Sequence, residues 1–174
     1  MYRTLEEEFF FTQKVLLKQR YTNAELYLHQ YFLKKTKIHP ANIIIINNYV
    51  FFFINNKEYF KAKIYLRKLR NEMGYKKIQI IRLEKTLLKF ILSFFPDPYV
   101  HDIKLILDEN NRRKIIHVGL LSYKERGIAI GRKGDYIKAI NELFKNYITF
   151  EEYATFQRYK IPMEIRCGTI SIFE

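Results

Sequence analysis

Three of the six glycines in this 174-residue chain crowd into one stretch, KERGIAIGRKGDYIKAINELF, from Lys124 to Phe144. Gly131 and Gly134 bracket Arg132 and Lys133 at the mouth of a helical pattern, and Gly127 lies one turn earlier. Glycine at such density serves dihedrals closed to other residues, or the close approach of another group to the peptide. With side chains removed at 131 and 134, a phosphate can lie against the backbone. Arg132 and Lys133 then supply the cations, and the N–H groups that open the helix at Asp135 favour an anion. Ile128, Ile130 and Ile137 can line an apolar groove in which bases rest, while the edge of an adjacent strand reads them. The candidate binding set is Arg126, Gly127, Ile128, Ile130, Gly131, Arg132, Lys133, Gly134, Ile137 and Lys138. The bland alternative is a tight turn between two helices. Lys138 and Lys145 read equally well as a solvated helix face.

Other glycine motifs do not fit. The Gly-Lys-Ser/Thr ending of a nucleotide-binding P-loop is absent, and a dinucleotide fingerprint would need a strand before the loop and a different glycine spacing. Enzyme chemistry is not in view. His29, His39, His101 and His117 are scattered without ligand spacing, and a single cysteine, Cys167, cannot complete a zinc site. No carboxylates are paired for acid–base work; Glu6–Glu8 suit a helix start, and Glu151 with Glu152 is a solvated acidic pair. The reading is therefore a binding protein with no catalytic residue, metal, cofactor or small-molecule substrate.

Bulk properties agree. The formal charge is +13, spread along the chain, and such a field attracts polyanions unless it serves only solubility. At 48% hydrophobic and 17% aromatic the chain can build a packed core. One cysteine excludes an internal disulfide and fits a reducing, cytoplasmic compartment. The acidic start argues against a targeting peptide. The most apolar run, TLLKFILSFF, is too short to span a bilayer, so no membrane role is expected.

The elements that must hold the loop come in a repeated order. Residues 5–20 carry apolar positions at helical spacing, and Asn23 then caps a helix running towards Pro40. NIIII and YVFFFI are strands about a turn at Asn47 and Asn48, YFKAKIYLRKLRNEMG is a helix closed by Gly74, and KKIQIIRL is a strand. From Leu83 the series restarts: a helix stopped at Pro96, strands DIKLILDE and RKIIHVGLLS, a short helix near Arg126, the glycine loop, a helix from Asp135, and a strand IPMEIRC. Helix–strand–strand–helix–helix–strand thus occurs twice, which points to an internal duplication with its boundary near Glu84.

Gly-x-x-Gly between two helices, after two strands and before a third, is the arrangement of KH domains, whose loop clamps a short single strand of RNA or DNA. The order resembles type II KH domains, and the fused pair resembles the NusA family of transcription factors, above all its short archaeal form. ERGIAIGRKGDYIKAINELFKNY is similar to the loop of that family's second KH domain, and LLKFILSFFPDPYVHDIKLIL to its helical junction and following strand. The likeness covers about residues 22–166. Ribosomal small-subunit proteins share the IGRKG loop and are the nearest alternative. The resemblance implies an α+β fold of an N-terminal helical extension (1–21), a degenerate KH domain (22–84) and a second KH domain with an intact loop (85–174). It implies binding of single-stranded RNA, association with RNA polymerase subunits, and a role in transcription elongation, pausing or termination. The alternative is a structural subunit of a ribosome or polymerase assembly, using its folds for protein contacts.

The first half departs from the pattern. Phe60 and Lys63 align with the two glycines, and bulk there would hold a phosphate backbone off. Lys57, Lys61, Lys63 and Arg67 keep the segment basic, and packing or docking to a protein is the remaining role. The segment 5–20 and the tail GTISIFE have no counterpart in the family, which suggests extra contacts.

Overall fold

The computed structural model describes residues 3–151 and 163–170. Among them run seven α-helices and three small sheets, an α+β arrangement. The chain divides into two compact units, residues 17–85, and residues 1–16 together with 86–174.

Helix α1 (Leu5–Phe11) opens on Thr4, whose hydroxyl accepts the Glu7 N–H while the Glu7 carboxylate accepts the Thr4 N–H. The helix expected over 5–20 stops at Phe11. The Thr12 hydroxyl donates to the Glu8 carbonyl at 2.9 Å, and Val15–Leu17 then form strand β1, paired with residues Ile148–Phe150. Short apolar runs fit either period, and a partner at the far end of the chain leaves no local trace.

In the unit 17–85, α2 (Asn23–Thr36) is capped by Thr22 and not by Asn23. The Thr22 hydroxyl accepts from Glu25 N–H at 3.2 Å, and the buried Glu25 carboxylate also takes Lys18 Nζ at 2.6 Å. The helix ends at Lys37 in the left-handed region (φ 62), ahead of Pro40. Strands β2 (Asn42–Ile46) and β3 (Tyr49–Asn55) are antiparallel about Asn47 (φ 51), as the Asn-Asn turn predicts. Next, α3 (Tyr59–Lys63) and α4 (Leu66–Glu72) replace the single expected helix. The Tyr65 N–H reaches back only three residues to the Ala62 carbonyl, a tightened turn through which the apolar periodicity continues unchanged. Gly74 is not the left-handed cap; α4 ends on Met73 at φ −113. β4 (Lys77–Leu83) then pairs parallel to β3. Alternate residues Val50, Phe52 and Ile54 meet Leu28, Phe32, Ala62 and Leu69 in the core, with Phe32 stacked on Phe52 at 4.5 Å.

The second unit repeats that order: α5 (Leu87–Ser93), β5 (Val100–Asp108), β6 (Arg113–Leu120), α6 (Tyr123–Ile130), α7 (Asp135–Asn146), and, after β7 (Ile148–Phe150), β8 (Met163–Thr169). Its sheet runs β5-β6-β8, antiparallel then parallel, matching β2-β3-β4. Phe90, Phe94 and Phe144 pack with centroids 5.1–5.6 Å apart. Helix α1 belongs here, where Phe10 meets Phe150 and Glu7 accepts the Leu105 N–H at 3.1 Å. Glu152, the first two residues of the expected strand IPMEIRC, and tail residues 171–174 lie outside the described residues.

Candidate nucleic-acid interface

The loop geometry begins in α6. Ser122 caps it by accepting the Glu125 N–H, and Ala129 turns inward. Arg126 Nε donates to the Cys167 carbonyl at 3.1 Å, tying the helix to β8. The Gly131 N–H donates to the Gly127 carbonyl, and the Gly134 N–H donates to the Gly131 carbonyl, each at 3.1 Å. Between them the backbone is left-handed at Gly131 (φ 78, ψ 176), Lys133 (φ 55) and Gly134 (φ 71). The chain thereby doubles back within a single turn, and α7 starts at Asp135 with no side-chain cap. Arg132 and Lys133 stand exposed on that turn.

Helix α7 is fixed from both sides. Tyr136 Oη donates to the Phe94 carbonyl at 2.6 Å, and Asn141 bonds both the N–H and the carbonyl of Ile165 in β8, at 2.7 and 3.0 Å. These bonds, with that of Arg126, occupy backbone groups of β8 that a strand edge would otherwise offer to bases. The loop therefore hangs on a rigid frame.

The glycines have different reasons. A Cβ at Gly131 would lie 2.7 Å from Tyr136 Cβ and 2.6 Å from Asp135 Oδ1, so glycine there is demanded by the turn itself. At Gly134 only Ile137 Cγ2 comes near, at 3.9 Å, and at Gly127 nothing lies within 4 Å. Internal packing does not ask for a missing side chain at Gly127, although glycine inside a helix costs about 1 kcal/mol relative to alanine.

The fold has a solved precedent. No protein-family model and no curated protein matches the sequence. Among solved structures the chain is similar to one titled "Crystal structure of APE1850", with a TM-score of 0.55 and 22% identity over 84% of this chain and all of that one. At that identity the likeness concerns the fold alone.

The ten candidate residues lie on α6, the turn and the start of α7, and none is fully buried. Ile128 is exposed, Ile130 and Ile137 are half-buried beside the loop, and Lys138 is exposed on α7. Arg126 differs, its guanidinium held by β8. Tyr123, 80% exposed, and the exposed Lys124 open α6; Tyr123 lies one turn before Gly127 on the same helix face. Their only signal in sequence was that spacing. Cys167 is buried, and burial pushes its thiol up to about 12, so it is an inert core residue. Among the described residues, no three His, Cys, Asp or Glu converge as metal ligands, and no helix is long and apolar enough to cross a membrane.

The counterpart segment in the unit 17–85 is built differently. Tyr59–Lys63 and Leu66–Glu72 are right-handed helices joined without any positive φ, so the chain does not double back as it does from Gly131 to Gly134, and Phe60 and Lys63 carry side chains where that loop has glycine. No backbone cradle exists there.

Proposed function

We propose that the segment from Tyr123 to Lys138 binds single-stranded RNA, with the phosphate backbone against the Gly131–Gly134 turn and bases over Ile128, Ile130 and Ile137. One observation carries the reading: two exposed cations, Arg132 and Lys133, sit on a glycine-bounded turn that opens directly into an uncapped helix. Phosphate binding uses that combination of accessible peptide, positive side chains and helix N-terminus. The repeated αββααβ order and the IGRKG loop support a pair of type II KH domains of the NusA kind. On that resemblance the protein is an RNA polymerase-associated factor in transcription elongation or termination.

The test is a short single-stranded RNA titrated by fluorescence anisotropy. Gly134→Asp places bulk and negative charge where the phosphate lies, and abolishes binding with little change in the circular dichroism spectrum. Arg132→Ala with Lys133→Ala flattens the slope of log affinity against log salt by up to about 1.4, the value for two contacts on a single strand. Undiminished binding in Gly134→Asp refutes the proposal. Polymerase association requires co-purification that survives ribonuclease; recovery only with ribosomal particles favours the structural-subunit alternative.

A further inference from the structure

Phe60 and Ile64 lie one helical turn apart at the α3–α4 junction and remain 68% and 79% exposed. Side chains at that spacing are neighbours, so they form a single apolar ridge. Phe60 is braced from beneath: the Arg82 guanidinium lies 4.9 Å from its ring centroid and 4.6 Å from that of Tyr59. An aromatic ring held outward by a stacked cation is a preorganised anchor, since little freedom is left to lose on binding. Lys57, Lys61 and Arg67 are exposed around the ridge and make no ion pair with a described carboxylate.

We infer that this ridge is a docking surface for an acidic protein segment that carries apolar anchors. The positive rim selects negative charge. The backbone here has no positive φ and does not double back, and the Phe60 and Lys63 side chains stand over it, so it offers no cradle for a phosphate, which favours a carboxylate-bearing partner over a nucleic acid. Apolar anchors on that partner would cover Phe60 and Ile64 while its carboxylates met the rim, as when an amphipathic helix lays one face on another surface. The inference stands apart from RNA binding by the other unit.

The test uses the full chain and three labelled probes: a helical peptide of Glu, Leu and Phe, its twin with Lys in place of Glu, and a short oligouridylate. The acidic peptide binds, the basic twin does not, and added salt weakens the complex. Phe60→Ala with Ile64→Ala lowers peptide affinity about tenfold or more, the loss expected of a buried anchor. Lys61→Glu with Arg67→Glu, which leaves the ridge intact, removes binding, and Gly134→Asp leaves it unchanged. The inference is overturned if the acidic peptide shows no saturable binding, or binds the Phe60→Ala, Ile64→Ala chain as well as the parent. It is equally overturned if Phe60→Ala costs oligouridylate as much affinity as peptide, because the ridge is then a base-stacking platform.

Discussion

Replacing Gly127 by alanine sets stability against binding. The residue lies within α6, its backbone is not left-handed, and an added Cβ meets nothing within 4 Å. Alanine therefore fits without strain and restricts the unfolded chain, a gain of about 0.4–1 kcal/mol. In a chain of this size 1 kcal/mol corresponds to a rise in Tm of roughly 2–4 °C. The same methyl stands on the face shared by Tyr123 and Gly131, where the RNA strand is proposed to pass. Holding a ligand off by even about 0.5–1 Å forfeits a quarter to a half of each dispersion contact. For about 20 atom pairs of ~0.1–0.2 kcal/mol each this is a loss of about 0.5–2 kcal/mol, or roughly 2–30-fold in affinity. Thermal melts followed by circular dichroism, with anisotropy on a short RNA, read both quantities on one sample. A more stable protein with undiminished affinity would refute the reasoning, because nothing would then approach the helix at Gly127. A fall in Tm would refute the open space itself.

Two further outcomes follow from the same geometry. Gly131→Ala costs about 3 kcal/mol in denaturant unfolding, since positive φ adds to overlap with Asp135 and Tyr136, whereas Gly134→Ala costs about 1 kcal/mol; equal losses would contradict the contacts. Tyr31, whose hydroxyl donates to the Glu72 carboxylate, is pushed up to about 12 by burial and then by that carboxylate. A raised folded-state value favours the protonated phenol, so its contribution is complete below the ordinary 10.0 and is lost as pH rises through about 12. Ultraviolet titration should find a late-ionising tyrosine that Tyr31→Phe removes.

The loop was legible because its chemistry is local: glycines, a basic pair and a helix start are adjacent in the chain, and the structure keeps them adjacent. The strand pair about Asn47 was legible for the same reason. What depends on partners distant in sequence was not. Val15–Leu17 carry a pattern that suits a helix as well as a strand, and only pairing with Ile148–Phe150 decides it. Arg126 was placed in the binding set, and nothing local in the sequence shows that the Cys167 carbonyl holds its guanidinium. The α3–α4 break turns on one shortened backbone bond at Tyr65, to which side-chain spacing is blind. Phe60 was expected to exclude a phosphate, but its outward pose on Arg82 depends on a strand residue beyond the helices.

Helix α1 belongs with residues 86–174, so one unit is interrupted in sequence by the other. During synthesis helix α1 waits for its seat. Glu7 must span 98 residues to reach Leu105, and at about 5–20 residues per second that separation takes roughly 5–20 s to emerge. Residues 17–85 are complete before then and can fold while Phe10 and Phe11 are still uncovered. Until residues 86–150 emerge, the nascent chain thus carries the apolar face of α1 uncovered. Slow translation lengthens that exposure, and a chain cut short before β7 never ends it.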